Sequence, residues 1–286
     1  MRTDGPVVDV VIPVRDGERT VVRAIESVLR QTCEDLRLYV VDDGSTDRTR
    51  ATIEASVDDA RVTVTTVPPG GVCTARNAGA ALGDAPYIAF LDADDEALPT
   101  WLAELTDHPD AEVVRCASYR CVDGTSRQVV EVDGSPLLAG TFVVARPLFQ
   151  RLGGYDEQLA YSENTDLDIR LHAALDGGRG RIALVPTPLI VRHMDGTRRS
   201  DKYGNAALRD AAERLLDKHR ARLSDEATAS FSAVAGVNSL RLGEPKRARP
   251  YLATAVRLAP TRWRYGVRYL QTFLPRPRRR PGERPG

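Results

Sequence analysis

The sequence predicts an α/β fold in which a mostly parallel sheet is flanked by helices, with a helical C-terminal extension. Short apolar runs typical of buried strands alternate with segments whose apolar residues recur at helical spacing. The order β-α-β-α-β-α-β implies parallel strands, because each helix crosses over the sheet before the next strand begins. Two of the apolar runs end in aspartates, and the carboxyl ends of strands are where open sheets of this kind bind ligands.

The elements of this sheet follow one another in a regular order. The predicted strands are residues 10–14, 36–41, 62–67 and 87–91, and helices are predicted around residues 21–29 and 72–82. A fifth apolar run covers residues 182–191. The apolar segment 137–144 is predicted to form a further strand, which lines one side of the binding site.

Asp92 and Asp94 follow the strand at 87–91 directly. On an extended backbone, side chains two positions apart point the same way, so both carboxylates can face one ligand. Two aspartates after a strand, taken alone, are usually part of a solvated turn. Here Asp42 and Asp43 end a second strand of the same sheet, so the two acidic turns together indicate a binding site. Two such carboxylates can hold a hard divalent cation against a diphosphate. The sequence therefore predicts a nucleotide diphosphate gripped between the two acidic turns.

Several segments together resemble the inverting glycosyltransferases of family 2, which have the GT-A fold. In order along the chain, the segments are residues 11–16, 27–32, 41–47, 75–79, 90–95, 153–157 and 163–167. The resemblance extends over roughly residues 7 to 200. It implies that a sugar moves from a nucleotide-diphosphate sugar to an acceptor hydroxyl, with Mg²⁺ or Mn²⁺ as the cofactor.

The resemblance also implies roles for residues at the donor end. Asp94 is expected to bind the metal, and Asp92 to contact the ribose or the sugar. Asp43 matches the residue that hydrogen-bonds the nucleotide base, and capping of the adjacent turn is compatible with that role. Pro13 belongs to the first donor-binding segment, and Asp42 is expected to stabilise its own turn.

The resemblance also concerns three basic residues. Arg15 stands where an aromatic residue usually stacks on the base, and a guanidinium plane can also stack. Arg76 is expected either to steer the phosphates or to form a surface salt bridge. His193 follows the fifth apolar run, where the family's histidine can approach the metal or the diphosphate; a structural histidine is the alternative.

The general base departs from the family pattern. Many relatives carry Glu-Asp at this place, and the aspartate is the base, whereas this chain has Glu163-Asn164. An asparagine does not accept a proton at neutral pH. Glu163 and Asp166, which is one helical turn further on, are the candidate bases. A chain that has lost catalysis is the third reading.

Two other functions compete with sugar transfer. A nucleotidyltransferase shares the sheet and the carboxylate-metal chemistry, but it requires a glycine-rich loop after the first strand, and residues 13–17 contain a single glycine. A non-catalytic binding protein is favoured only by Asn164 and the helical C-terminus.

If the protein transfers a sugar, the acceptor would be a saccharide, a lipid-linked molecule or a small-molecule hydroxyl.

Composition and charge limit the partners. The chain has 286 residues and a formal net charge of zero, so it carries no overall signature of nucleic-acid binding. No apolar stretch approaches the ~20 residues of a membrane span, and the N-terminus has no signal-peptide core. These features predict a cytoplasmic protein. Its four scattered cysteines are expected to be reduced.

The chain is predicted to divide into a catalytic domain at 1–200, a helical extension at 201–274 and a disordered Pro/Arg-rich tail at 275–286. Helices are predicted at 206–223, 226–242 and 246–258. Residues 261–286 hold eight arginines and one acidic residue, and aromatic residues lie among the first of these arginines. This segment fits either peripheral contact with the inner face of an anionic membrane or a packed helix followed by the tail.

Overall fold

The computed structural model of the chain describes residues 7–122, 124–133, 137–175, 181–194 and 199–274. The chain divides into two compact units, residues 1–197 and 198–286. The tail predicted at 275–286 lies outside the described residues. A single sheet lies in the first unit, and the described part of the second unit is helical.

Among the described residues, nine strands form this sheet. They are β1 (Val8–Val14), β2 (Leu36–Asp42), β3 (Val62–Thr66), β4 (Tyr87–Phe90), β5 (Glu96–Ala97), β6 (Val113–Cys121), β7 (Arg127–Val130), β8 (Phe142–Ala145) and β9 (Ile182–His193). Their order across the sheet is β3-β2-β1-β4-β8-β6-β9-β5, and β7 pairs with β6.

The first four strands are parallel, as the alternation of strands and helices predicts. Three helices connect them: α1 (Val21–Leu29), α2 (Thr49–Ser56) and α3 (Val72–Leu82). Because the strands run the same way, the carboxyl ends of β2 and β4 lie on the same edge, on either side of β1. The structure confirms the α/β fold with helices flanking the sheet.

The second half of the sheet mixes strand directions. β8 runs antiparallel to β4 and to β6, β6 runs parallel to β9, and the short β5 is antiparallel to β9. The strand predicted at 137–144 is wrong at its start. Leu138 and Thr141 close a turn in which the Thr141 N–H and hydroxyl both donate to the Leu138 carbonyl, so β8 begins only at Phe142.

Both faces of the sheet are buried, which explains why β1 reads as a continuous apolar run. Val10 and Ile12 belong to one core cluster, and Val11 belongs to the cluster on the opposite face. Helix α3 approaches β1 closely at Gly79, where an added Cβ would lie 2.4 Å from Val11 Cγ1. A larger residue there would force helix and strand apart.

The remaining helices of the first unit are α4 (Trp101–Thr106), α5 (Arg146–Arg151) and α6 (Glu163–Leu175). The second unit contains α7 (Arg199–Lys218), α8 (Asp225–Leu242), α9 (Pro245–Leu258) and α10 (Trp263–Gln271). Helix α7 is interrupted at Gly204, whose φ is +77°. Helix α8 is capped by the Ser224 hydroxyl and ends at Gly243 in the left-handed conformation. In the described part of the chain, no helix is long and apolar enough to cross a membrane.

Candidate active site

Three aspartates gather where β4 ends. The chain turns directly after the strand, and the Asp95 N–H donates to the Asp92 carbonyl at 3.0 Å. Asp92, Asp94 and Asp95 each offer a carboxylate oxygen, and these oxygens all lie within 4.8 Å of one another. The turn is held from helix α1, because Arg23 Nη2 donates to the Asp94 carbonyl at 2.5 Å.

The electrostatics of this cluster favour a cation. Burial, followed by the neighbouring Asp92 and Asp94 carboxylates, raises the pKa of Asp95 well above its usual range. Asp95 is fixed from β9, whose His193 N–H donates to its Oδ1 at 3.0 Å. Carboxylate oxygens are the ligands that Mg²⁺ and Mn²⁺ prefer, so this donor set fits the expected cofactor.

Arg76 on α3 links this cluster to the second half of the domain. Its Nη2 donates to Asp92 Oδ1 at 2.6 Å, and its Nη1 donates to Glu163 Oε1 at 3.0 Å. The guanidinium carbon lies 5.0 Å from the centre of the Tyr155 ring. The expected alternative of a surface salt bridge is wrong, since the Arg76 side chain is only 2% exposed. Burial lowers the pKa of Arg76, but Tyr155, Asp92 and Glu163 outweigh it and raise the pKa overall.

Glu163 opens helix α6 and is held by a short chain of hydrogen bonds. The Tyr155 hydroxyl donates to Asn164 Oδ1 at 2.9 Å, and Asn164 Nδ2 donates to Glu163 Oε1 at 3.0 Å. Burial raises the pKa of Tyr155, so its hydroxyl keeps the proton that it donates. Both the arginine and the amide bind Oε1, and among the described residues Oε2 has no hydrogen-bond partner.

Asp166 lies in a different environment from Glu163. Its carboxylate is fully buried, and its Oδ2 pairs with Arg170 Nε at 2.8 Å and Nη2 at 2.6 Å. Arg170 Nη1 also donates to the carbonyls of Leu152 and Gly154. Asp166 thus anchors α6 to the preceding loop, and its burial favours Glu163 as the residue that can meet an acceptor.

The second acidic turn lies at the end of β2. Asp43 is buried, and its carboxylate accepts the N–H groups of Gly70 and Gly71 at 2.7–3.2 Å. Asp42 Oδ1 accepts the Ser45 N–H at 2.8 Å, which confirms that Asp42 stabilises this turn. Asp43 therefore connects the turn to the loop that precedes α3.

The other residues expected at the donor end surround this turn. Pro13 lies in β1 beside Val41 of β2 and is buried. Arg15 extends from the end of β1; its side chain is 53% exposed, and its Nη1 lies 3.9 Å from Asp43 Oδ2. The guanidinium is thus available to a ligand near Asp43. The base-binding roles of these residues stay predictions.

His193 ends β9 next to the aspartate cluster. Its Nε2 lies 3.6 Å from Glu96 Oε2, and the cluster of three carboxylates that could hold a metal ion, found among the described residues, does not include it. Burial, followed by the nearby Arg23, lowers the pKa of His193, so the imidazole is neutral at pH 7. Its role as a metal ligand stays a prediction, whereas its backbone N–H already positions Asp95.

Sequence reasoning assigned no role to Tyr155 or Asn77. Asn77 Oδ1 accepts the Tyr155 N–H at 2.8 Å, and Asn77 Nδ2 donates to the Tyr155 carbonyl at 2.9 Å. These contacts lock the loop before α6 onto α3. Both residues lie in segments that carry the family resemblance, and this position was the one feature of the sequence that could have pointed to them. Arg23, which holds the turn after β4, had no signal in the sequence beyond its helical position.

Residues 9–142 match the model of the family described as glycosyl transferase family 2. They are a family 2 glycosyltransferase domain. This family 2 domain contains the aspartate cluster, Asp43 and Arg76, whereas Glu163 and His193 lie beyond the matched residues. The resemblance predicted from the sequence is therefore confirmed.

Curated relatives of the family 2 domain come from several bacteria. The succinoglycan biosynthesis protein ExoO of Rhizobium meliloti is 30% identical over 217 residues, which cover 66% of this chain and 61% of that protein. Glycosyltransferase EpsJ of Bacillus subtilis is 32% identical over 119 residues, 40% of this chain and 35% of EpsJ. Glycosyltransferase RP339 of Rickettsia prowazekii is 28% identical over 184 residues, 57% of each chain. The chain thus spans between about a third and two thirds of these relatives.

The chain also resembles solved structures over most of its length. The crystal structure of S. aureus TarS residues 1–349 superposes on this chain with a TM-score of 0.64, and the structure of the same protein in complex with UDP-GlcNAc superposes with a TM-score of 0.65. Both cover 93% of this chain at 16% identity, with 88% and 89% of TarS 1–349 covered. This likeness confirms the predicted fold, an α/β structure of GT-A type.

Proposed function

We propose that this protein is an inverting glycosyltransferase that moves a sugar from a nucleotide-diphosphate sugar to an acceptor hydroxyl, with Mg²⁺ or Mn²⁺. The observation that carries the proposal is the buried Arg76, which joins the aspartate cluster at Asp92 to the candidate base Glu163. The family 2 domain supports sugar transfer, and the TarS structure with UDP-GlcNAc supports a nucleotide sugar as the donor.

At the donor end, the carboxyl edges of β2 and β4 supply the binding groups. Asp94 and its neighbours would hold the divalent cation, which neutralises charge on the diphosphate leaving group when bound. Asp43 and Arg15 lie at the end of the neighbouring strands and would receive the nucleoside. Arg76 contributes to donor binding by fixing Asp92, because both terminal nitrogens of its guanidinium are already engaged by carboxylates.

At the acceptor end, Glu163 acts as the general base. The acceptor oxygen attacks the anomeric carbon, the bond from that carbon to the diphosphate oxygen breaks, and the nucleoside diphosphate leaves with the electron pair. Attack from the face opposite the leaving group inverts the anomeric configuration. Glu163 takes the proton of the hydroxyl through Oε2, while Arg76 and Asn164 hold Oε1.

The predicted division at residue 200 is supported by the two compact units, which meet at residues 197 and 198. Residues 1–200 would contain all the donor-binding residues and the base, with 201–274 as the helical extension.

The name of ExoO, a succinoglycan biosynthesis protein, supports a saccharide acceptor, either free or lipid-linked. A cytoplasmic location stays a prediction.

A donor panel tests this proposal. The purified chain is incubated with UDP-, GDP- and dTDP-sugars and Mn²⁺, and the release of nucleoside diphosphate is followed without an acceptor, since transferases leak sugar to water. We expect one donor class to be hydrolysed slowly in a metal-dependent reaction. A nucleotidyltransferase would instead release pyrophosphate from a nucleoside triphosphate and a sugar phosphate. Pyrophosphate release, or failure of all donors to bind or react, would overturn the proposal.

A further inference from the structure

Helix α10 turns an apolar stripe outward. Trp263, Val267 and Leu270 follow one another at intervals of four and three residues, which place them on one side of α10, and Leu274 lies in the turn that follows the helix. Their exposed fractions are 68%, 44%, 65% and 65%. The sequence predicted either a membrane contact or a packed helix for this segment, and the structure adds that these four apolar side chains are exposed.

The opposite side of the helix is fixed to α9. Thr272 is buried, and its carbonyl accepts Arg249 Nη2 of α9 at 3.1 Å. The Arg249 guanidinium carbon also lies 4.0 Å from the centre of the Phe273 ring. Because α9 holds this side, the outward orientation of the stripe is a property of the folded helix. A helix of a water-exposed surface normally turns its apolar side the other way.

The charges carried by α10 itself are all positive, and the glutamate nearest to its start, Glu226 of α8, is paired with Arg262. Arg264 and Arg268 lie along one flank of α10, and no acidic residue occurs between Trp263 and Leu274. Residues 275–286, which follow directly in the sequence, contain five arginines and one glutamate. A bound partner must therefore offer an apolar layer next to a negatively charged one.

We propose that α10 docks the protein onto the surface of an anionic lipid bilayer, with the stripe in the acyl-chain boundary and the arginines at the head groups. An anionic bilayer presents negatively charged head groups directly above an apolar layer of acyl chains. A second copy of the chain fits less well, since a symmetric contact would bring Arg264 and Arg268 of one helix against the same residues of the other. Exposed Trp263 suits the interface between head groups and acyl chains.

Sedimentation with vesicles tests the proposal on the full chain without donor or acceptor, so its result does not depend on the proposed transfer reaction. Vesicles of phosphatidylglycerol mixed with phosphatidylcholine are compared with pure phosphatidylcholine. Each arginine at an anionic surface is worth about fivefold in binding, so we expect strong recovery only with the anionic vesicles and a steep fall with salt. Equal recovery with the two vesicle types would contradict the charge part of the proposal.

Two double variants separate the apolar and the basic contributions. Leu270→Ser with Leu274→Ser should weaken binding by roughly tenfold or more, because these exposed side chains contribute buried area only on the membrane. Arg264→Gln with Arg268→Gln should weaken binding at low salt and match the wild type at high salt. Leu242→Ser, at another exposed leucine of the second unit, should leave binding unchanged.

The tryptophans provide an independent readout. The chain has two of them, and Trp101 is fully buried, so a blue shift of emission on adding vesicles reports Trp263. Trp263→Phe should lose this shift while still sedimenting with the vesicles. If the leucine variant sediments like the wild type, the stripe does not contact lipid. If it instead converts a dimer into a monomer, or if an acidic protein partner binds α10 in place of vesicles, the proposal fails.

Discussion

Arg76 Nη1 donates to Glu163 Oε1 at 3.0 Å, although the two residues are 87 positions apart in the sequence. The other terminal nitrogen of the same guanidinium donates to Asp92 Oδ1 at 2.6 Å. Because the guanidinium is planar and buried, it sets a fixed separation between the donor-side aspartate and the proposed base. Replacing either side chain by one without an acceptor oxygen would leave part of a buried charge unpaired, which makes the two ends of the site interdependent.

The first prediction concerns the metal. Asp94→Asn removes one charged ligand from a crowded cluster, so metal-dependent binding of donor should weaken by roughly tenfold or more while the fold is kept. Calorimetric titration of the donor at increasing Mn²⁺ measures the effect.

Asp84→Asn is the matched control for this variant, because Asp84 is an 83% exposed aspartate that pairs with Arg37 elsewhere in the same unit. It should bind metal and donor as the wild type does. His193→Gln in the same titration tests the second expected ligand, and a loss comparable to that of Asp94→Asn identifies it as one. Unchanged metal-dependent binding by Asp94→Asn would sink the assignment of the cluster.

The second prediction concerns the base. Glu163→Gln keeps an oxygen that can accept from Arg76 and Asn164 but removes the ability to take a proton. Turnover should fall by the ~10²–10⁴ typical of lost general base catalysis, with donor affinity nearly unchanged. Single-turnover rates and donor titrations measure the two quantities separately. Glu157→Gln, at an exposed neighbour bound by Asn77, should keep its rate. A wild-type rate in Glu163→Gln would show that the base lies elsewhere.

The third prediction separates Asp166 from Glu163. Asp166 is fully buried and forms an ion pair with Arg170, so Asp166→Asn removes the negative charge that balances this arginine. Breaking such a pair costs about 3–5 kcal/mol of the free energy of unfolding. Denaturant unfolding should show this loss, while the rate per folded molecule stays within about tenfold of the wild type. A stable variant with strongly reduced turnover would instead make Asp166 the base.

The sequence predicted the parallel half of the sheet because β1 and β2 are buried on both faces and acidic turns follow β2 and β4 directly. It left Glu163 and Asp166 undecided, because residues three apart on a helix share a similar face and the sequence does not show which one faces solvent. Arg170, four residues after Asp166, was the available signal of an ion pair within the helix. The bridge by Arg76 had no local signal, since it depends on packing between α3 and the start of α6.

The fourth prediction tests why position 164 carries an asparagine. Asn164 Nδ2 donates to Glu163, so Asn164→Asp replaces a donor by a second carboxylate next to the first. Although this change restores the Glu-Asp pattern of the family, we expect turnover to fall and the unfolding free energy to drop by roughly 1–3 kcal/mol at neutral pH. The deficit should shrink as the pH is lowered, because protonation of one carboxylate relieves the repulsion. Higher turnover in this variant would indicate that position 164, and not Glu163, serves as the base site.

The fifth prediction concerns the loop bound by Asp43. Gly44 has a φ of +70°, and a Cβ added there would lie 2.5 Å from Pro69 Cγ, whereas Gly153 has a φ of +77° and open space around its Cβ position. Gly44→Ala should therefore cost about 1–2 kcal/mol for the left-handed backbone and a further ~1–3 kcal/mol for the collision with Pro69. Gly153→Ala is the matched control, because it adds a side chain at a positive φ without a collision. Thermal unfolding compares their stabilities, and donor titration should show weaker binding for Gly44→Ala, since moving Pro69 displaces the amides that hold Asp43. Equal stabilities of the two variants would mean that the proline ring yields to the new side chain, and an unchanged donor affinity would place the nucleoside away from Asp43.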